Sequence, residues 1–252
     1  MSFVSDTYYM FVRWMKKLVR NPILLFFSLF QPIIFLVLFT QLFSSFGGFL
    51  GVNYTTFATA GIVLQNAFSS AFQSGTAVVD DIKSGFLTKM LATPASRASI
   101  LLGRILSDAF RVFAQSIIIL ALAYGLGVFP VTGFLGYVLI LFTVAFFGLA
   151  WSGISLALGL RTKSAETVFG IAGTLTFPLL FMSTALMKQE KMPIWMANVS
   201  TFNPISIAVN AIRDLIMNGY MWGSFSEAYG VITLIAMVTL GATFYEFRKI
   251  VS

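Results

Sequence analysis

Six apolar stretches, each about as long as a helix that crosses a lipid bilayer, dominate the sequence. Such a helix needs about 20 mainly apolar residues. The chain is 58% hydrophobic and 10% charged, whereas soluble domains carry about 25% charged residues. We therefore predict an all-α membrane protein with six transmembrane helices in a single domain, residues 1–252. The stretches lie at about 23–45, 55–79, 105–128, 133–160, 165–187 and 226–245.

An amphipathic segment, residues 4–20, precedes the first stretch. Its apolar residues recur at helical spacing, with basic residues on the opposite face. A helix of this kind lies in the membrane interface, with its basic side toward lipid phosphates. We predict that it is retained, because no cleavable signal peptide is evident. The basic residues of this predicted interface helix are Arg13, Lys16, Lys17 and Arg20.

The basic residues are distributed unequally between the two sides of the predicted membrane domain. If both termini are cytoplasmic, thirteen of the 16 Lys and Arg residues lie on the cytoplasmic side. Only Lys188, Lys191 and Arg213 then lie outside. Cytoplasmic loops of membrane proteins carry an excess of Lys and Arg. We therefore predict a multi-pass protein of the cell (plasma) membrane with both termini in the cytoplasm.

The outer connection before the last stretch, residues 188–225, is long and contains two prolines. Its apolar residues between Ile205 and Ile216 form a helical face that is too short to span the bilayer. We predict short re-entrant helices here, dipping into the outer leaflet before the last transmembrane helix.

The connection between the second and third stretches is unusually long and charged. The segment from Asp80 to Arg111 holds eight of the chain's 25 charged residues. Before Pro94 a short helix carries an apolar face that is too small to fold alone, so we predict that segment 80–97 inserts into a groove of a partner protein. The apolar face consists of Phe86, Leu87, Met90 and Leu91, with Lys83 and Lys89 beside it.

After Pro94 the same connection runs into the third predicted span. Ser96 is placed to cap that helix. Charged residues follow at separations of seven, four and three, which return to one helical face. We predict a charged ridge that faces solvent and lipid headgroups. Its members are Arg97, Arg104, Asp108 and Arg111.

A polar stripe runs along the second predicted span. Polar side chains facing lipid are costly, so these must face protein or water. Two interpretations remain open: packing against neighbouring helices, and a lining for a translocation pathway or a dimer seam. The candidate lining residues are Thr59, Asn66, Ser69 and Gln73.

Several kinds of chemistry are excluded by what the sequence lacks. It has no Cys and no His, which removes thiolate catalysis, imidazole acid–base chemistry and most transition-metal sites. It has no phosphate-binding GxxxxGK[ST] loop. The charge of +7 is dispersed around membrane segments, which indicates anionic lipids rather than nucleic acid. We expect a chain that binds no cofactor or metal and is not an enzyme.

An ordered set of short motifs resembles the membrane subunit of type-2 ATP-binding-cassette exporters, the group of daunorubicin-resistance and Nod-factor export permeases. The resemblance covers almost the whole chain. Its motifs are Arg20-Asn21-Pro22, Gln31-Pro32, Gly85-x-Leu87, Thr93-Pro94-Ala95-Ser96-Arg97, Gly103-Arg104, Phe177-Pro178, Met192-Pro193-Ile194-Trp195, and Asn203-Pro204 followed by Arg213.

The resemblance implies a permease dimer, most simply a homodimer, that engages two copies of a separate ATPase carrying ATP and Mg. It implies export of an amphipathic, drug-like or lipid-linked substrate, and it makes segment 80–97 the coupling helix. Alternatives are an ion-coupled secondary carrier, which usually needs acidic residues inside the spans, and a membrane scaffold without transport. The family often has an acidic residue where this chain has Lys83. The implied ATPase-docking residues are Gly85, Phe86, Leu87, Lys89, Met90, Leu91, Pro94 and Arg97.

Overall fold

The computed structural model describes residues 3–42 and 53–251, and all regular structure within these ranges is helical. Ten α-helices and one 3₁₀-helix, Gln189–Lys191, are present in this part of the chain. The α-helices are α1 (Phe3–Val19), α2 (Pro22–Leu42), α3 (Tyr54–Lys83), α4 (Phe86–Leu91), α5 (Arg97–Gly125), α6 (Gly133–Thr162), α7 (Ala165–Phe181), α8 (Ile194–Phe202), α9 (Pro204–Met217) and α10 (Trp222–Val251).

Each predicted apolar stretch is mainly helical where the structure describes it. The last three residues of the first stretch, 43–45, lie outside the described residues. Two helix starts are capped as side-chain chemistry requires: Ser96 accepts a hydrogen bond from the Ser99 amide at 3.1 Å, and Asn53 accepts one from the Thr55 amide at 2.9 Å. These acceptors satisfy amides that have no partner within the helix.

Helix α7 is shorter than the stretch predicted at 165–187. It ends at Phe181, where backbone carbonyl groups accept hydrogen bonds from the side chain of Asn203. The Asn203 amide donates to the Leu179 carbonyl at 2.6 Å and to the Met182 carbonyl at 3.3 Å. Because these bonds satisfy carbonyls at the end of α7, the chain turns there without continuing the helix.

Three helices are long and apolar enough to cross a membrane: α5, α6 and α10 as far as Ile250. Two shorter apolar helices are Phe26–Leu42, within α2, and α7. Helix α3 is 30 residues long but carries many polar residues. These helices indicate a multi-pass membrane protein. The number of six spans stays a prediction. Helices α8 and α9 are 9 and 14 residues long, too short to cross.

Helix α3 lies at the centre and packs most extensively against α6. The two backbones meet at Gly75, where an added Cβ would collide with the Ser155 carbonyl and hydroxyl, and at Gly159, where it would collide with the Gly75 carbonyl. The Ser155 hydroxyl also accepts from the Gly75 amide at 2.8 Å. Small residues allow this close packing, which supplies most of the attraction between helices in lipid.

Two groups of contacts define the two ends of the bundle. At one end, the α4 end, a hydrophobic cluster joins residues of α1, α3, α4, α5, α6 and α10, including Trp14, Leu87 and Phe247. The two terminal helices therefore meet at this end. At the other, the α9 end, the Val131 amide donates to the Ile216 carbonyl at 3.0 Å and ties α9 to the 126–132 turn.

We expect Gly75→Ala to lower the thermal stability of the purified protein, because a Cβ there would force α3 and α6 apart. The matched control is Gly230→Ala in α10, where an added Cβ has no neighbour within 4 Å. Alanine favours a helix by about 1 kcal/mol over glycine, so the control should be neutral or stabilising. Equal unfolding temperatures for the two variants would contradict the close α3–α6 packing.

Candidate functional site at the α4 end and the adjoining cleft

Helix α4 is a six-residue helix between two tight turns. Gly85 precedes it with φ of 67°, a left-handed conformation that glycine adopts without strain. The chain can therefore reverse from α3 into α4 within two residues. Both Leu87 and Met90 are 4% exposed and pack in the hydrophobic cluster of the α4 end. Phe86 and Leu91 are half-buried against the same cluster.

The predicted apolar docking face therefore points inward. The periodicity of residues 86–91 identified an apolar face correctly, but the Leu87 and Met90 side chains contact this chain's own helices rather than the surface. They hold α4 against the bundle. The outer side of the segment is polar. Its exposed residues are Lys83, Ser84, Thr88, Lys89, Ala92, Thr93, Pro94, Ser96 and Arg97.

Arg13 of α1 lies directly against α4. Its guanidinium carbon is 3.5 Å from the centre of the Phe86 ring, and Nη1 donates to the Met90 sulfur at 2.7 Å. Burial here lowers the pKa of Arg13 below that of a solvated guanidinium. Of the four basic residues predicted on the interface helix, Lys16, Lys17 and Arg20 are exposed. The ammonium group of Lys17 nevertheless reaches an aspartate of α3.

That aspartate, Asp81 near the end of α3, belongs to a buried ion cluster that joins α1, α3 and α5. The Lys17 ammonium is 2.9 Å from Asp81 Oδ1, and Arg104 Nη1 is 4.0 Å from Asp81 Oδ2. Asp108 bridges two arginines, at 3.1 Å from Arg104 Nε and 3.4 Å from Arg111 Nη2. Two anions thus face three cations, which leaves an excess of one positive charge, and removing either anion would increase that excess.

The surroundings of the two arginines complete the cluster. The Arg104 guanidinium carbon lies 4.2 Å from the centre of the Trp14 ring, and its Nη2 donates to the Ser74 carbonyl at 3.2 Å. Arg111 Nη2 donates to the Ser70 carbonyl at 2.6 Å. The arginines therefore also bind the backbone of α3, which fixes the position of α5 against it.

This burial corrects the predicted headgroup-facing ridge. Arg104, Asp108 and Arg111 do share one face of a helix, but they are 6%, 5% and 6% exposed because α1 and α3 cover them. Only Arg97, at the start of α5, is exposed. Sequence reasoning missed Asp81 as the partner across helices, because the spacing within one helix carries no information about ions on another.

A cleft of about 500 Å³ lies between α2, α3 and α7 and reaches Arg111. Its lining combines amide, hydroxyl and carboxylate groups with phenyl rings. Both flanking helices expose large apolar residues beside it, such as Phe27 on α2 and Phe181 on α7. The residues of this cleft are Gln31, Ser69, Phe72, Gln73, Thr76, Ala77, Asp80, Arg111, Phe169, Ala172, Gly173, Thr176 and Phe177.

The polar stripe of α3 divides between the cleft and the core. Ser69 and Gln73 line the cleft, as two of the four candidate lining residues. Thr59 and Asn66 are buried in the helix bundle, and the Thr59 hydroxyl donates to the Thr55 carbonyl at 2.7 Å. The stripe therefore packs inside the bundle over one part of α3 and faces a cleft over another, and a pathway or dimer seam at that cleft stays a prediction.

Within residues 3–42 and 53–251, no group of three or more acidic side chains is arranged to hold a metal ion. The groups brought together at the α4 end are instead cations, aspartates and aromatic rings. Such an arrangement can hold α1, α3 and α5 together. It also leaves a basic surface of Lys83, Lys89 and Arg97 exposed.

Comparison with known proteins assigns this arrangement of helices to a family. The chain is 31% identical to the daunorubicin resistance ABC transporter permease protein DrrB1 of Streptomyces coeruleorubidus over 212 residues, 84% of this chain and 75% of that protein. It is 29% identical to the putative transport permease ycf38 of Cyanophora paradoxa, over 84% of this chain and 74% of that protein.

A more distant relative is the probable doxorubicin resistance ABC transporter permease protein DrrC of Mycobacterium tuberculosis, 23% identical over 86% of this chain and 79% of that protein. The family model for ABC-2 type transporters matches residues 5–217. This match includes most of α1, segment 80–97, the buried ion cluster, the cleft and α9. The chain therefore belongs to the ABC-2 type transporter family, as a membrane permease.

Proposed function

We propose that this chain is the membrane-spanning subunit of an ATP-driven exporter, which moves an amphipathic, drug-like or lipid-linked substrate out of the cell together with a separate ATPase. The observation that carries the proposal is a rigidly held helix, α4, with a basic polar surface, in a chain of the ABC-2 permease family. The chain itself would bind neither ATP nor Mg, and ATP hydrolysis would occur on the partner.

The α4 end is proposed to face the cytoplasm. The basic residues Lys83, Lys89 and Arg97 are exposed there, and an excess of Lys and Arg marks the cytoplasmic side of a membrane protein. The two terminal helices meet at the same end, so both termini would be cytoplasmic. Helices α8 and α9 would then dip into the outer leaflet.

The exposed polar surface of α4, together with Thr93, Pro94 and Arg97, is proposed as the ATPase-docking surface. Leu87, Met90 and Phe86 contribute indirectly, since they anchor α4 to α1 and α5. Movement of α4 would be transmitted through these apolar contacts and through the neighbouring ion cluster to α3, which lines the cleft. Rigid coupling is expected because packed interiors transmit displacement with little deformation.

The α2/α3/α7 cleft is proposed to line the substrate pathway at the seam with a second copy of the permease. Its polar groups would face the pathway, and the exposed phenyl rings on α2 and α7 would pack across the seam. A polar surface flanked by apolar rings also suits an amphipathic substrate. The simplest assembly is a homodimer of permeases with two ATPase subunits.

The direct test is reconstitution of the purified permease in lipid vesicles with candidate ABC ATPases from the same organism. We expect the two proteins to co-purify and to move an amphipathic probe such as daunorubicin only when ATP is hydrolysed. Transport driven by an ion gradient without nucleotide would instead establish a secondary carrier. Association without any transport would favour a membrane scaffold.

The docking surface is tested by Lys89→Glu combined with Arg97→Glu. We expect a loss of ATPase affinity of at least about tenfold, because like charges placed across an interface repel. Lys191→Glu, which changes an exposed cation on the opposite side of the molecule, is the control and should leave binding unchanged. Normal co-purification of the double variant with its ATPase would refute this surface.

The ion cluster is tested by Asp81→Asn, which leaves Lys17 and Arg104 without their shared anion. We expect a loss of about 1–3 kcal/mol in folding free energy, because Lys17 is half-exposed and Arg104 keeps its pairing with Asp108. The neighbouring Asp80→Asn changes an exposed carboxylate and should have little effect on unfolding. Thermal unfolding in detergent compares the two variants, and similar curves would be incompatible with the cluster.

The cleft is tested by Gln73→Trp, which fills part of the space between α3 and α7. We expect ATP-dependent daunorubicin movement to fall several-fold while ATPase binding persists, because the change lies away from α4. Leu234→Trp, on an exposed apolar face of α10, is the control. Full transport by the Gln73 variant would show that the pathway lies elsewhere.

A further inference from the structure

A second polar cavity lies at the α9 end, away from α4 and outside the α2/α3/α7 cleft. It has a volume of about 430 Å³. Arg213 of α9 and Lys188 contribute positive charge to its lining, and Glu190 contributes one negative charge. Thr184 and Asn210 add hydrogen-bonding groups. The three charged groups thus leave the cavity with an excess of one positive charge.

Arg213 is held in a fixed orientation. Its Nη1 donates to Asn210 Oδ1 at 3.0 Å, and Nη2 donates to the Thr184 carbonyl at 2.7 Å. Its guanidinium carbon lies 3.7 Å from the centre of the buried Phe57 ring. The Thr184 hydroxyl donates to the same Asn210 oxygen at 2.8 Å. The guanidinium plane is therefore set before any ligand binds.

Arg213 has no ion-pair partner in the part of the chain that the structure describes. No carboxylate there lies within 4.0 Å of its nitrogen atoms. The adjacent Asp214 accepts instead from Asn218 at 2.7 Å. The Arg213 Nε is buried and has no hydrogen-bond partner. Nη1 and Nη2 each use one N–H group in the bonds described above, so one N–H group on each remains for a ligand.

A desolvated cation without an anion is costly, and arginine contributes planar, paired donors that match phosphate oxygens. Lys188 adds a second, more mobile cation at the same cavity. Glu190 would repel a simple anion, which limits how much negative charge the site can accept. These features favour a phosphate group over a carboxylate, because phosphate offers more oxygens to two cations.

We propose that this cavity is a binding site for the phosphate group of an amphipathic molecule, held by Arg213 and Lys188. The phosphate group can belong to a lipid headgroup or be free inorganic phosphate, and the experiment separates these sources. The site is distinct from the ATPase-docking surface. It is tested on the isolated permease, so a failure here leaves the exporter proposal unaffected, and the reverse also holds.

The experiment measures thermal unfolding and direct binding with the purified full chain in detergent. The three probes are a short-chain phosphatidic acid, the matching diacylglycerol without phosphate, and inorganic phosphate. We expect phosphatidic acid to bind and stabilise the protein, and diacylglycerol to have no effect. Stabilisation by inorganic phosphate at similar concentrations identifies free phosphate as sufficient, whereas stabilisation by phosphatidic acid alone identifies a lipid-linked ligand. Both results support the site.

Variants at the cavity separate charge recognition from a structural role. Lys188→Gln and Arg213→Gln should each weaken phosphatidic acid binding by about tenfold, the effect of one charge-assisted hydrogen bond. Glu190→Gln should strengthen it, which no loss of folding can imitate. Lys191→Gln, an exposed cation that does not line the cavity, should have no effect.

If Arg213→Gln fails to fold, Lys188→Gln and Glu190→Gln still decide the question, because neither residue is buried in the core. The proposal is overturned if no phosphate-bearing probe binds. It is also overturned if Lys188→Gln and Glu190→Gln bind phosphatidic acid as tightly as the unmodified protein.

Discussion

The buried ion cluster of Asp81, Asp108, Arg104 and Arg111, with Lys17 at its edge, determines how the α4 end is built. Desolvated charges are costly unless each has a nearby partner, and the partners here come from α1, α3 and α5. Moving one of these helices alone would separate opposite charges in a medium of low dielectric constant. The three helices are therefore expected to move together.

This constraint underlies the mechanical role that we propose for α4. A helix of six residues has no stability of its own, so its position is fixed by what it packs against. Leu87 and Met90 attach it to the cluster of Trp14 and α5, while Arg13 stacks on Phe86. A force applied to the outer surface of α4 would reach α3 and the cleft as a rigid displacement.

The existence of the long helices could be predicted from sequence because the signals are local, whereas the end of α7 at Phe181 depends on Asn203, which is distant in sequence. Apolar runs specify the long helices, and Ser96 places the start of α5 through its own side chain. The ion cluster could not be predicted in the same way. The spacing of Arg104, Asp108 and Arg111 along α5 is recognisable in the sequence. Their burial depends on α1 and on Asp81, which are distant in sequence.

The same limit applies to α4 and to the polar stripe of α3. An apolar face predicts burial, yet it does not say whether the covering surface belongs to this chain or to another. The apolar face of α4 therefore predicts a partner's groove, whereas Leu87 and Met90 pack against this chain's own helices. The polar stripe lies on one face of α3, but different helices pack against that face along its length. Asn66 is therefore buried in the core, whereas Gln73 lines the cleft.

The most direct test of the proposed assembly is site-specific photo-crosslinking between the permease and its ATPase in native membranes. A crosslinking residue is placed at Thr88, on the exposed side of α4, and separately at Phe202, which is exposed at the end of α8. We predict a crosslink to the ATPase from position 88 and none from position 202. A crosslink from position 202, or none from position 88 in a transport-competent complex, would contradict ATPase docking at the α4 end.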